Sequence, residues 1–308
     1  MRAAVFHGAR DVRIENVPDP AAPAAGEVVL EVIRAAICGT DASEWDHGPV
    51  LCHPGVVLGH EFVGRVVEFG SDVTGLRVGD RVVSGAGISC GRCRWCLSHR
   101  TNLCADYRTL GLQVDGGLAE YVTSPAAICL TVPDGCDDDA AAMTQPLAVA
   151  LHALSRVGQG PEESVAVIGV GGIGSFIVAG ASRRAVDGRV VAIDIDAGKL
   201  ATASALGANE AVDATGHDLA KLLRELSDGV GFDVVIEASG SAHAPSAASV
   251  GVRRGGRVLL VGLHSAPRQI DLTRMILREV DIFTTVAHGG FPADVGAARR
   301  SPGVAMDA

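Results

Sequence analysis

The stretch SVAVIGVGGIGSFIVAGASR, residues 164–183, leaves a chain few folds to choose from. A short apolar run enters a glycine turn and then a small-residue segment with helical character. Gly169, Gly171 and Gly174 satisfy G-x-G-x-x-G, and the segment also contains Gly172 and Ile173. Glycines at this spacing allow a tight turn, an approach of backbone to a pyrophosphate, and close helix–strand packing. The N–H groups that open the helix suit the phosphates. The pattern gains weight from its surroundings: a strand before it, a helix after it, and Asp194 twenty residues beyond Gly174. A carboxylate at a second strand end accepts hydrogen bonds from ribose hydroxyls and repels a 2′-phosphate. This favours NAD over NADP; the plainer alternative makes Asp194 a solvated strand end.

The rest of the chain divides around this loop. From residue 164, apolar strands alternate with Ala-rich helical stretches. The strands are 164–169, 189–194, 210–213, 232–238, 257–263 and 281–287. This order predicts a parallel, doubly wound sheet with helices on both faces. Before it, 28–37, 62–70, 80–84 and 119–125 read as short strands between glycine turns, with little helical signal before about Ala140. The expected division is a β-rich domain over 1–150, a dinucleotide-binding domain over 151–287, and a short tail over 288–308. Val261 and Leu263, at the end of a parallel strand, are expected at the cofactor, mainly through backbone.

The chain carries 39 glycines and a 48% apolar fraction but only 4% aromatics, which suits an α/β protein. Net charge is −10 without a basic stripe, so nucleic acid is not an expected partner. The opening MRAAVFHGARDVRIE alternates like a strand and has no signal-peptide h-region, and no apolar run reaches membrane-span length. A cytoplasmic protein with reduced thiols is the expectation.

Four of the eight cysteines, Cys90, Cys93, Cys96 and Cys104, fall within residues 89–104 at C-x2-C-x2-C-x7-C. Four thiolates suit tetrahedral zinc and leave no position open for substrate. Iron–sulfur runs begin alike but close with x3 and a proline, which this one lacks. A second group is dispersed: Cys38 in ICGTD, His60 and Glu61 in LGHEFVG. A cysteine, a histidine and a carboxylate can hold zinc with a vacancy. Singly, each has an ordinary reading as a core cysteine or a turn residue. Cys52, Cys129 and Cys136 read as structural, and His152 as a core histidine.

ICGTD, GHEFVG, VGDRV, the cysteine lobe, DGGLAEYV, PLAVALHA and GVGGIG, in this order, resemble the zinc-dependent medium-chain alcohol dehydrogenase family, most of all its polyol and butanediol dehydrogenase branch. The resemblance implies a GroES-like catalytic domain with a catalytic and a structural zinc, and a Rossmann domain for NAD. It implies that Cys38 and His60 bind the catalytic zinc, with Glu61 a ligand or close alternate. Thr40 resembles the hydroxyl that takes the alcohol proton, Asp41 the acid that orients His60, and Lys199 a ribose contact. The implied reaction moves a hydride between a zinc-held secondary alcohol, of a polyol, sugar or diol, and NAD, giving a ketone and NADH, in a homodimer or homotetramer. A cyclitol or amino-cyclitol dehydrogenase is the second reading, and a truncated, non-catalytic NAD(H)-binding homologue the third. Gln145 stands where the polyol branch commonly has glutamate, so its place among the ligands is open; sugar-oxidising relatives share the glutamine. Ser43 replaces a common relay histidine. The tail HGGFPADVGAARRSPGVAMDA stops before the elements with which relatives return to the catalytic domain.

Overall fold

The computed structural model describes residues 1–264 and 266–289, and these form two compact units. One is built on Met1–Ala148 with His288, the other on Val149–Ala287. The expected tail lies outside the described residues from Gly290 onward. His288 is buried, with Nε2 2.9 Å from the Gly85 carbonyl oxygen.

The first unit opens with a hairpin, β1 (Arg2–Gly8) and β2 (Asp11–Asn16). Next come β3 (Glu27–Ala36), helix α1 (Gly39–His47), β4 (Glu61–Phe69) and β5 (Arg81–Ser84). The cysteine lobe contains β6 (Gly87–Ile88), the short α2 (Arg94–Leu97) and β7 (Arg108–Thr109), with β6 and β7 paired beneath it. Strands β8 (Tyr121–Pro125) and β9 (Cys129–Thr131) complete a five-stranded antiparallel sheet in the order β8-β3-β4-β5-β9. Its inner face buries Val28, Leu30, Phe62, Val66, Val82 and Val122. Helices α3 (Asp138–Ala142) and α4 (Thr144–Val157) follow, and the division between the units falls inside α4.

Helix α1 corrects the expectation of little helix before Ala140. Its sequence, GTDASEWDH, has no apolar stripe; the residues it buries are Asp41 and Glu44. Polar satisfaction holds it in place instead. The Glu44 carboxylate accepts from Val50 N at 2.9 Å, Leu51 N at 2.7 Å and the Cys52 thiol at 3.0 Å. A buried carboxylate with that many donors is stable where an unpaired one would not be. Burial, and then Glu44, push the Cys52 thiol up to about 12, so it stays a neutral donor.

The second unit is the doubly wound sheet. Its elements are β10 (Ser164–Ile168), α5 (Gly172–Arg184), β11 (Arg189–Asp194), α6 (Ala197–Ala205), β12 (Glu210–Asp213) and α7 (Leu219–Glu225). They continue with β13 (Phe232–Glu237), α8 (Ala244–Gly251), β14 (Val252–Leu260), α9 (Leu272–Ile276) and β15 (Asp281–Thr284). All six strands are parallel, in the order β12-β11-β10-β13-β14-β15. Alternate residues serve opposite faces: Val165 and Val167 of β10 pack with Ile177 and Val178 of α5, Ala166 and Ile168 with Leu223 and Ala248. Burial on both faces is why these strands read as unbroken apolar runs. β10 and β13 stop one residue short of expectation, β14 and β15 three residues short. β14 stops at Leu260 because Val261 N and Gly262 N both turn to the Glu237 carbonyl, and β15 stops at Thr284, with Ala287 at φ +48°.

At the start of β13, Asp233 accepts from Ser164 N at 2.8 Å, Ser164 Oγ at 2.7 Å and Arg253 Nε at 2.6 Å. Partial burial opposes its ionisation, but these donors outweigh it and hold the carboxyl below its usual pKa. A depressed carboxyl pKa contributes stability above the unfolded value, which is lost as pH falls through the folded one. Asp233→Asn should therefore cost about 1–3 kcal/mol in urea denaturation near neutral pH. The gap to wild type should hold from pH 8 to 5 and close only below about pH 4; a gap that persists unchanged at lower pH contradicts this account.

Candidate metal centres and cofactor cleft

Antiparallel pairing brings the dispersed ligand candidates together. Ala36, the last residue of β3, pairs with Glu61, the first of β4. Cys38 follows β3 by two residues and caps α1, so its thiol stands beside His60 and Glu61. One ligand atom from each of the three lies within 4.8 Å of the others. Thr40 Oγ1 is 3.8 Å from Cys38 Sγ. His60 and Glu61 are buried, Cys38 half-buried.

These residues are poorly satisfied by the protein alone. Burial first, and then the charge of Glu61, push the Cys38 thiol up to about 12. Burial likewise raises Glu61 and Asp41. Asp41 accepts from Cys38 N through Oδ2 at 2.8 Å, but its Oδ1 and His60 Nδ1 lack hydrogen-bond partners and stand 3.8 Å apart. Asp41 is thus beside His60 as expected, but at a distance beyond a direct hydrogen bond. A divalent cation at this point would reverse the electrostatics, since a coordinating thiol ionises outright. The donor set fits zinc. Gln145 is half-buried in the first turn of α4, without a side-chain hydrogen bond among the described residues. Ser43 is exposed on α1.

The four-cysteine lobe is a second cluster, with all sulfurs within 4.8 Å and no disulfide. Cys93 Sγ and Cys96 Sγ are 3.5 Å apart, Cys90 Sγ and Cys96 Sγ 3.9 Å. Four sulfurs held at zinc–sulfur distance in a tetrahedron sit about 3.8 Å from each other, so the lobe is close to the shape the ion requires. Backbone N–H groups of Cys96 and its neighbours lower the Cys93 thiol to about 6, toward the ligating thiolate form.

In the sheet unit, the strand order reverses between β10 and β13, where open α/β sheets bind ligands. The glycine loop occupies this point. Gly169 has φ +84°, and a Cβ there would lie 2.4 Å from Ser239 Cα. A Cβ on Gly174 would lie 1.9 Å from the Gly169 carbonyl oxygen, whereas one on Gly171 or Gly172 would meet nothing within 4 Å. Gly169 and Gly174 are thus fixed by packing, and Gly171 and Gly172 leave space. Ile173 packs against the core. Beside the loop is a cleft of about 760 Å³ lined by Gly169, Gly171, Asp194, Lys199, His217 and His243, among others. Asp194 ties its rim together, accepting from Val170 N and Ile195 N at 2.8 Å each. Val261 and Leu263 do not line this cleft; Val261 N is spent on the sheet and Leu263 is exposed.

Sequence reasoning missed His217 and His243, whose only signal is a position just past the ends of β12 and β13. It also missed the work of Glu237. This carboxylate is fully buried and accepts from Ser239 N, Ser239 Oγ and Gly240 N, shaping the turn against which Gly169 packs. Its second oxygen is 3.3 Å from His264 Nε2.

Both halves of the chain match family models: residues 24–134 the alcohol dehydrogenase GroES-like domain, and 172–298 the zinc-binding dehydrogenase domain. The chain belongs to the zinc-dependent alcohol dehydrogenase superfamily. It is 35% identical to a sorbitol dehydrogenase of Halalkalibacterium halodurans over 279 residues, 90% of this chain and 80% of that protein. It is 37% identical to an L-threonine 3-dehydrogenase of Shewanella baltica over 257 residues, 82% of this chain and 74% of that one. The crystal structure of 2R,3R-butanediol dehydrogenase from Bacillus subtilis matches with a TM-score of 0.85 at 27% identity, covering 97% of this chain and 88% of that one. Like the superfamily, this chain is a zinc- and NAD(H)-dependent oxidoreductase of alcohols. No helix among the described residues is long and apolar enough to cross a membrane.

The glycine geometry separates two substitutions. Gly171→Ala should fold with near wild-type thermal stability yet bind NADH at least about tenfold more weakly, a loss of roughly 1.4 kcal/mol. Gly174→Ala should lower the melting temperature as well as the affinity. Equal effects of the two on stability would contradict the assignment of open space to Gly171.

Proposed function

We propose that this dehydrogenase oxidises a secondary alcohol of a polyol, sugar or diol to the ketone, with NAD⁺ accepting the hydride. The observation that carries the reading is the gathering of the Cys38 thiol, the His60 imidazole and the Glu61 carboxylate at one buried point. Zinc held by these three residues would supply a Lewis acid that lowers the pKa of the substrate hydroxyl. The 35% identity to a sorbitol dehydrogenase favours a polyhydroxylated substrate.

The chain's own residues have separable parts in this proposal. Cys38 and Glu61, once ionised, offset the two charges of the ion. His60 turns Nδ1 to Asp41 and would offer Nε2 to the ion. Thr40 accepts the proton of the substrate hydroxyl. Ser43 lies three residues further along α1, on the same face, and leads to solvent; it offers a hydroxyl route with no group that titrates near neutral pH. Gln145 adds a carbonyl oxygen without charge, either on the ion or on a substrate hydroxyl. Cys90, Cys93, Cys96 and Cys104 hold the second, structural zinc. Gly169, Gly171, Gly172, Ile173, Gly174, Asp194 and Lys199 receive NAD, with Asp194 and Lys199 at the ribose.

We further assign the protein to the cytoplasm and to a homodimer or homotetramer. Strand β15 supports the latter: it is the last strand of its sheet and pairs on one side only among the described residues. Such an edge offers a ladder to a second copy.

Metal content and turnover on one preparation test the reading. Wild type should carry two zinc ions per chain and form NADH with sorbitol or 2R,3R-butanediol in preference to L-threonine. Cys38→Ala should retain one zinc, stay folded, and lose about 10³-fold in kcat, the equivalent of about 4 kcal/mol. Cys93→Ser should lose the other zinc and melt earlier. A two-zinc protein that reduces NAD⁺ with no polyol or diol overturns the substrate class; Cys38→Ala that keeps both ions overturns the site.

A further inference from the structure

The end of the sheet opposite the cofactor cleft carries a second concave site. Gly229 and Val230 precede β13, Arg253 and Arg254 begin β14, and Arg274, Leu277 and Arg278 belong to α9 or follow it before β15. Because the strands are parallel, these segments meet at one edge, and they line a cavity of about 570 Å³. Four of the seven lining residues are arginines, and no acidic residue lines the cavity. This is unusual in a chain of net charge −10.

The arginines are poorly neutralised. Arg253 is paired with Asp233, whose other oxygen is taken by Ser164. Arg254, Arg274 and Arg278 have no carboxylate within 4.0 Å among the described residues. Arg254 donates to the Leu277 carbonyl at 3.3 Å, and Arg278 reaches the Val250 carbonyl at 3.5 Å. Arg274 Nε is buried without any hydrogen-bond partner. Burial, and then the charges of Arg274, Arg254 and Arg224, lower the pKa of Arg278. Guanidiniums remain protonated, so the direction reports crowding of like charge. Asp271 is occupied in capping α9 through Arg274 N at 2.9 Å.

We propose that this arginine-lined cavity binds a small multivalent anion of the phosphoryl class, at a site distinct from the cofactor cleft. Several convergent guanidiniums in a concave site recognise phosphate oxygens bidentately, and an anion of charge −2 or more relieves their mutual repulsion. The concavity is of a size that accepts a small molecule. A nucleic acid would need a basic stripe beyond this cavity, which the sequence, at net charge −10, does not show.

Inorganic pyrophosphate is the probe. Titration calorimetry is run on the zinc-loaded protein with NADH saturating, so that the phosphate-binding loop at Gly171 is already filled. Wild type should bind pyrophosphate, more weakly as NaCl is raised. The double variant Arg274→Gln/Arg278→Gln should raise the Kd at least tenfold. Arg254→Gln, at an exposed position, should raise it several-fold and guards against misfolding of the double variant. The proposal is overturned if wild type shows no heat beyond that of NaCl at matched ionic strength, or if Arg254→Gln and the double variant both bind as wild type does. It is also overturned if wild type fails to bind and the double variant changes oligomeric size, which would assign the cluster to a protein contact.

Discussion

A thiol, an imidazole and two carboxylates share a few ångströms where β3 leaves the five-stranded sheet and β4 enters it. Apolar packing alone would not keep such a group buried. The thiol is driven to about 12, a carboxylate oxygen and an imidazole nitrogen face each other unpartnered, and both acids are raised. The antiparallel register between Ala36 and Glu61 enforces the arrangement, because slipping β4 by one residue would turn Phe62 out of the core and His60 out of the cluster. The core that Val28, Leu30, Phe62 and Val122 form therefore holds four polar groups where each is uncomfortable without an ion.

The sheet unit solves the opposite problem. Its core is unremarkable: Val, Ile and Ala on both faces of six parallel strands. What it must create is an absence of side chain at one point. Gly169 and Gly174 are locked because each would collide with backbone, and that locking leaves Gly171 and Gly172 facing open space. Glu237 contributes from below, since its buried carboxylate fixes the Ser239 turn that Gly169 touches. The shape of the glycine loop thus depends on a carboxylate outside it.

Legibility in the sequence followed spacing. Cys90, Cys93, Cys96 and Cys104, and the loop Gly169–Gly174, carry their geometry in local intervals, and the structure has them at those intervals. Cys38 belongs to one segment and His60 and Glu61 to another; residue type and family resemblance join them in the sequence, and the register of two strands joins them in space. Helix α1 was invisible to hydrophobic periodicity because acids make up its buried face. Glu237 ends an apolar strand, and nothing in its spacing announces that its side chain is fully buried. The arginines were invisible for a related reason: Arg253 and Arg254 are separated from Arg274 and Arg278 by the rest of β14 and the segment that leads to α9, and no long basic run announces them.

Where the two concave sites lie, the ends of the parallel sheet differ in charge. At the carboxyl ends of the strands stand Asp194 and Glu237, each held by backbone N–H groups, beside a cleft lined by glycine. At the amino ends stand Arg253, Arg254, Arg274 and Arg278, with one of the four given a carboxylate. Strand dipoles do not create this asymmetry, because sheets have small net dipoles. It comes from residue choice at the strand ends, which the fold leaves free since these positions are outside both apolar faces. In each of the three places where the chain crowds groups of like character — the Cys38 cluster, the glycine loop and the arginine cavity — the protein alone leaves charge or space unbalanced. A ligand of the complementary kind, a cation, a dinucleotide or an anion, would remove that imbalance, and the free energy so released would be available to binding.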